Sequence, residues 1–217
     1  MSHKLAVFDM DGTILNTLDD LADSINHALK VTGFPVHTTE DVCNFVGNGI
    51  RKLVERSVPK GTSIDDINKV HEQFTEYYTL HCADKTKAYD GIYDLLTELK
   101  NAGCKTAVVS NKADYAVQKL CDEYFPNYFN IAAGEQQPKY NKKPAPDLVY
   151  LVMEKLDIAP EDTVYIGDSD VDILTAKNAN VNCISVDWGF RTREFLIENG
   201  ASKIVSDTDE LKKAILG

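Results

Sequence analysis

Long apolar runs are missing from this 217-residue chain. After Met1-Ser2-His3-Lys4 the apolar stretch is Leu5-Ala6-Val7-Phe8, too short for a signal-peptide core, and nothing approaches the roughly 20 residues of a membrane span. Glycine and proline number 12 and 7, too sparse for a collagen-like or low-complexity chain. Cysteine is scattered and odd in number (Cys43, Cys82, Cys104, Cys121, Cys183), never in C-x-x-C spacing. That excludes a disulfide framework and reads as reduced thiols buried as small hydrophobes. The five histidines form no zinc-binding spacing. A reducing cytoplasm is the expected compartment. Positive charge is scarce: 23 Lys and Arg stand against 34 Asp and Glu, a net charge of −11. Such a surface repels nucleic acid and anionic membranes, so neither is an expected partner. A small anionic substrate remains possible at a locally positive site, which a bound divalent cation can create. What the chain does have is 43% hydrophobic residues, enough for a real core without staples.

Those apolar residues fall into short continuous runs rather than alternation, the pattern of strands covered on both faces. Strands are predicted at 4–8, 105–109, 128–133, 163–166, 181–186 and 203–205. Helical periodicity follows at 92–99, 146–156, 170–179, 192–198 and 209–215. Alternation of this kind predicts an α/β fold with a parallel, Rossmann-like sheet. Residues 16–86 break the alternation with helical patterns alone, at 17–31, 39–45, 48–58 and 63–82. They read as an inserted all-helical domain, 16–86, in a catalytic core of 1–15 and 87–217. An insertion after the first strand sits where parallel sheets bind ligands, beyond a strand's carboxyl end.

The polar residues with chemical potential lie at those same ends. Asp9-Met10-Asp11-Gly12-Thr13 offers two carboxylates two residues apart on extended backbone, then a glycine that permits a tight turn. Paired carboxylates invite a divalent cation, or an unequal split in which one keeps a proton. Gly167-Asp168-Ser169-Asp170-Val171-Asp172 places Asp168 and Asp172 one helical turn apart. Three carboxylates there are costly without a cation, and Mg²⁺ fits because it needs few protein ligands. Lys143, ahead of Pro144, is a fixed ammonium suited to a phosphoryl group, whereas Lys142 reads as a surface lysine. Ser110-Asn111-Lys112 supplies a hydroxyl and backbone N–H groups at a predicted strand-to-helix turn.

In this order the D-x-D-G-T box, the strand-end serine, the K-P-x-P lysine and the G-D-S-x-x-D box resemble the haloacid dehalogenase superfamily of phosphotransferases. The resemblance covers the whole chain, and the helical insertion resembles that superfamily's first cap type. Phe45 to Arg56, Trp188-Gly189-Phe190-Arg191 and Gly200 to Val205 are similar to phosphoglycolate phosphatases. Asn16 departs from the aspartate usual there, outside the catalytic set.

The resemblance implies roles. Asp9 would be the nucleophile that forms an aspartyl-phosphate, and Asp11 the acid and then the base. Mg²⁺ would be held by the Asp9 carboxylate, the Asp11 carbonyl and Asp168, with Asp172 supporting that shell. Ser110, Asn111 and Lys143 would bind the transferring phosphoryl group. An acid at position 11 favours oxygen over halide leaving groups. In the insertion, Arg51 and Lys52 at the start of a helix read either as contacts for the substrate's other anionic end or as a solvated basic patch. Trp188 reads as packing. The implied partner is a small phosphorylated metabolite, 2-phosphoglycolate first. A sugar phosphate, a nucleotide, pyrophosphate and a β-phosphoglucomutase-like transfer are the alternatives. A non-catalytic phospho-acceptor module would be shorter and would lack both the insertion and the second carboxylate of the first box. The oligomeric state stays open between monomer and homodimer.

Overall fold

Leu5–Phe8 forms β1, whose four residues are all buried because the strand lies in the middle of the main sheet. The computed structural model describes residues 2–217. Six parallel strands make that sheet: β1, β4 (Lys105–Ala113), β5 (Ile131–Glu135), β6 (Thr163–Gly167), β7 (Asn182–Val186) and β8 (Ile204–Val205). Two-residue strands β2 (Leu15–Asn16) and β3 (Lys87–Ala88) pair separately. The main order is β5-β4-β1-β6-β7-β8. Connections run outward one way from β1 and, after β5, the other way from β6, so the switch in direction falls between β1 and β6. That is where doubly wound sheets open a crevice.

Helices α5 (Ile92–Asn101), α6 (Asp114–Tyr124), α7 (Asp147–Leu156), α8 (Asp170–Ala179), α9 (Arg193–Glu198) and α10 (Thr208–Leu216) complete this unit. Alternate sheet residues face opposite ways. Leu5, Val7, Ala107, Val109 and Tyr165 pack with Leu148, Val149 and Val152 of α7 and Ala176 and Ala179 of α8. On another side, Phe8 meets Phe129 edge-on at 6.2 Å, and Phe129 meets Phe125 at 5.5 Å. Each such buried side chain contributes about 1.5–3 kcal/mol relative to leaving it exposed.

One expectation needs correction, and three elements were not foreseen. The second predicted strand does not stop at Ser110; β4 continues to Ala113, with its pairing to β5 shifting register between Val109 and Ala113. A helix the periodicity did not reveal, α6, follows at once. Its buried stripe is Ala116, Val117, Leu120 and Cys121, half of it small residues that carry a weak signal. The two-residue strands β2 and β3 give no pattern to read.

The chain divides into two compact units, one running through Leu15 and resuming as Ala88–Gly217, the other Asn16–Lys87. The second consists of α1 (Leu18–Thr32), α2 (Thr39–Phe45), α3 (Ile50–Ser57) and α4 (Ile64–His81) around its own core. Leu21, Ile25, Ala28 and Leu29 form a buried stripe on α1, and Val70, Phe74 and Tyr78 one on α4. α1 packs on α4, where His27, Tyr77 and His81 stack at 4.1 Å spacings. Thr38 and Asp41 form a capping box on α2, Ser63 caps α4, and Gly33 at φ 81° ends α1. The buried Asp20 carboxylate accepts from the Lys85 and Thr86 N–H groups and the Thr86 hydroxyl, tying α1 to the segment after α4. Among the described residues, no helix is long and apolar enough to cross a membrane.

Candidate active site

Asp9 is the first residue beyond β1 and Asp168 the first beyond β6, so the switch between those strands sets the two carboxylates side by side. Carboxylate oxygens of Asp9, Asp168 and Asp172 all lie within 4.8 Å of one another. The Asp9 Oδ1 accepts from the Met10 N–H at 2.7 Å and faces the Lys143 ammonium at 2.9 Å. Lys143, 2% exposed, also donates to Asp172 Oδ1 at 2.7 Å and to the Tyr165 hydroxyl at 3.0 Å. Three N–H donors thus meet three acceptors. The Tyr165 hydroxyl in turn donates a hydrogen bond to the Val109 carbonyl.

Asp172 does two jobs. Its Oδ1 holds Lys143, while its Oδ2 accepts from the Ser169 N–H and hydroxyl in the capping box that opens α8. Asp168 is held by Thr13 Oγ1 at 3.3 Å and the Phe190 N–H at 2.7 Å. The Trp188 indole N–H in turn donates to the Thr13 carbonyl. Two glycines make room for this. Gly12, at φ 82°, takes a turn other residues avoid, and any Cβ there would strike the Asp168 carboxylate. A Cβ on Gly189 would strike both Asp168 and the Gly12 carbonyl.

Burial leads the electrostatics. It pushes the Asp9 carboxyl up to about 7; Lys143 opposes the rise, and Asp172 and Asp11 add to it. Burial, then Asp172, then Asp9 raise Asp168 well above the usual carboxylate range. Lys143 goes the other way: burial disfavours its charge, but Asp172 and Asp9 outweigh that and hold it protonated well above 10.5. A site whose carboxylates are this strained by one another, with oxygen donors only, suits a hard divalent cation such as Mg²⁺. Asp172 is tied to the Lys143 ammonium and to the Ser169 cap of α8, and Asp168 to Thr13 and the Phe190 N–H, while both partners of Asp9 fall on its Oδ1.

The extension of β4 serves this cluster residue by residue. Ser110 is buried, and its hydroxyl accepts from the Lys112 N–H. Asn111 Nδ2 donates to the Lys143 carbonyl at 3.1 Å. The Lys112 ammonium reaches Asp11 Oδ1 at 2.7 Å. The Asp11 side chain therefore turns to Lys112 and lies outside the carboxylate triad. Tyr165, Thr13 and Lys112 are the participants that sequence reading missed. Only Lys112 carried a usable signal, as a cation two residues beyond Ser110 on extended backbone.

In the helical unit, Arg51 Nε pairs with Glu55 at 3.1 Å, and its Nη1 donates to Asn68 Oδ1 at 2.7 Å. Lys52 reaches the other Glu55 oxygen at 2.6 Å. Lys52 and then Arg51 lower the Glu55 pKa against burial. Arg56 closes the loop ahead of α3 by donating to the Phe45 carbonyl and Asn48 Oδ1, both at 2.7 Å.

Comparison with known proteins follows the same lines. A family model described as haloacid dehalogenase-like hydrolase matches residues 6–186. The phosphoglycolate phosphatase of Pseudomonas fluorescens is 32% identical over 221 residues, covering 99% of this chain and 79% of the relative. That of Psychrobacter arcticus is 33% identical over 199 residues, covering 88% and 86%. The crystal structure of a candidate phosphoglycolate phosphatase from Lactobacillus delbrueckii subsp. bulgaricus superposes with a TM-score of 0.95 at 40% identity, covering 100% of both chains.

Proposed function

The chain belongs to the haloacid dehalogenase-like hydrolases and is a phosphatase; from there we propose that it cleaves 2-phosphoglycolate to glycolate and phosphate through an aspartyl-phosphate on Asp9. One observation carries the reading. A buried carboxylate at the tip of the central strand shares its surroundings with a fixed ammonium, which also donates to the Tyr165 hydroxyl, and with a second carboxylate able to bind a cation. The names of its relatives support the choice of substrate.

Both donors to Asp9 fall on Oδ1, so attack is assigned to Oδ2. A bond forms from Oδ2 to phosphorus while the bond from phosphorus to the glycolate oxygen breaks, and Asp11 passes a proton to that oxygen. Asp11, now a carboxylate, takes a proton from a water whose oxygen attacks phosphorus. The bond between phosphorus and Asp9 then breaks, releasing phosphate. Lys143 stays beside the reacting oxygens throughout, and its pairing shifts from the Asp9 carboxylate to the phosphoryl group as the acyl phosphate forms. Ser110 and Asn111 orient the phosphoryl oxygens, and Asp172 keeps Lys143 in place. Mg²⁺, when bound, would supply further neutralisation of phosphoryl charge. The Asp9 and Asp168 carboxylates and the Asp11 carbonyl would hold it, with Asp172 supporting them.

Residues 16–86 are assigned as a cap that selects substrate, with Arg51 or Lys52 meeting the glycolate carboxylate. A phosphate-release screen over small phosphomonoesters, ranked by kcat/KM, tests the substrate. 2-Phosphoglycolate should lead; a sugar phosphate, nucleotide or pyrophosphate in first place displaces this reading while keeping the chemistry. Transfer between positions of one sugar rather than to water would mark a mutase. Neutralising Arg51 and Lys52 together to glutamine should raise KM for phosphoglycolate by about 10-fold or more, as expected for loss of a charge-assisted contact. KM for p-nitrophenyl phosphate should stay within about twofold. Equal effects on the two substrates return both residues to a solvated patch.

Gly189 offers an independent probe of the Asp168 setting. Gly189→Ala pushes a methyl into Asp168 and the Gly12 turn, so kcat/KM should fall by on the order of 10²-fold with the fold retained by circular dichroism. Unchanged turnover would show that Asp168 need not sit where this segment holds it.

A further inference from the structure

Lys112 is a buried ammonium that the mechanism above does not use. Its side chain is 2% exposed, against 21% for its partner Asp11, and the two meet at 2.7 Å. An ion pair that merely steadied a surface would leave its lysine in water, where the flexible stem keeps its freedom. Here the lysine is committed to the interior and its carboxylate partner is the more exposed of the two. The backbone is shaped to do this. The register shift between Val109 and Ala113 carries β4 past its regular pairing, and on that extension the Lys112 ammonium reaches Asp11. The Lys112 N–H bonds back to the Ser110 hydroxyl, which fixes the two residues relative to each other. Next door, Asn111 holds the carbonyl of Lys143. One tripeptide therefore reaches the phosphoryl-binding lysine and the proton-exchanging carboxylate at once.

We propose that Lys112 is a positioning residue for Asp11: its ammonium sets the direction of the Asp11 carboxyl group so that proton transfer to the departing oxygen, and later from water, occurs along a short path. This rests on the reading of Asp11 as acid and base. The bond changes are those given above, and Lys112 itself gains and loses no proton. Proton transfer is steeply sensitive to geometry, and a displacement of about 1 Å can cost on the order of 10²-fold. A residue acting this way matters in proportion to how much the leaving group needs a proton. Glycolate leaves as an alkoxide and needs one; p-nitrophenolate is stable enough to leave without one.

The test measures the first turnover, release of the alcohol or phenol by rapid quench, for 2-phosphoglycolate and p-nitrophenyl phosphate with saturating Mg²⁺. Lys112→Met should slow glycolate release by on the order of 10²-fold and p-nitrophenol release by no more than about threefold. Lys112→Arg should recover most of the loss. Asp11→Asn with Lys112→Met should be no slower than Asp11→Asn alone, since residues acting through one another are not additive. Thermal melting checks each fold, and Lys112→Gln replaces the methionine variant if that one melts at assay temperature. Equal slowing on both substrates, unchanged rates, or additive effects in the double variant would overturn the proposal. Failure of the reading beneath it looks different: Asp11→Asn alone would then slow both substrates alike.

Discussion

Asp9→Asn abolishes turnover: kcat/KM for any phosphomonoester falls by more than about 10⁴-fold, the scale on which removing a sole nucleophile acts. The replacement is nearly isosteric. Its amide oxygen can still accept from the Met10 N–H and from Lys143, so the local hydrogen bonds survive. Melting temperature should therefore change little, and the variant should still bind substrate. What disappears is the oxygen that takes the phosphoryl group. In the parent protein, acid quench during turnover followed by borohydride trapping and peptide mass spectrometry should locate the modification at Asp9. In Asp9→Asn no trapped peptide should appear. A variant retaining a hundredth of the parent rate, or a phosphoryl group trapped at another side chain, would remove the aspartyl-phosphate from the mechanism.

Lys143→Met should fail in two ways. Activity should drop by about 10³-fold, since a fixed charge facing the transferring group is lost. Stability should drop as well, and this distinguishes it from the Asp9 variant. Lys143 sits at 2.9 Å from Asp9 and 2.7 Å from Asp172, with 2% exposure. Taking away the cation leaves two buried carboxylates facing each other. Breaking a buried pair this way costs about 3–5 kcal/mol, or roughly 10 °C in melting temperature for a chain of this length. Adding Asp172→Asn to Lys143→Met removes one of the stranded charges and should restore much of the melting temperature, measured without added metal, while activity stays lost. If both activity and stability return together, Lys143 is a structural residue only. If Lys143→Met alone keeps a tenth of parent activity, the phosphoryl group finds its countercharge elsewhere.

Much of this site is legible in the order of residues along the chain. β1 and β6 announce themselves as short, mostly apolar runs ending in Asp9 and Asp168, because strands buried on both faces carry few polar side chains until they emerge. The acidic box at α8 is legible too, though its inner division is not. Spacing puts Asp168 and Asp172 on one side of the helix start but cannot show that Asp172 spends both oxygens on Lys143 and Ser169. Lys143 ranks above Lys142 from the prolines around it; its three acceptors come from β1, β6 and α8. Trp188 reads as packing, yet its indole N–H holds the Thr13 carbonyl and its neighbours hold Asp168. β4 misleads most. Its apolar run ends at Val109, but the backbone stays extended through four further residues, two of which bond to Lys143 and Asp11.

Composition, periodicity and the four boxes settled the sheet-and-helix class, the helical excursion and the chemical kinds of side chain at the strand tips, since these depend on neighbours along the chain. Partnership was decided by folding alone. Asp11 and Lys112 are 101 residues apart and Thr13 and Asp168 are 155 apart, and no local pattern records which of several lysines or threonines will close such a distance. The strand order that lays β1 between β4 and β6 does so, by turning two remote loops into neighbours at one edge.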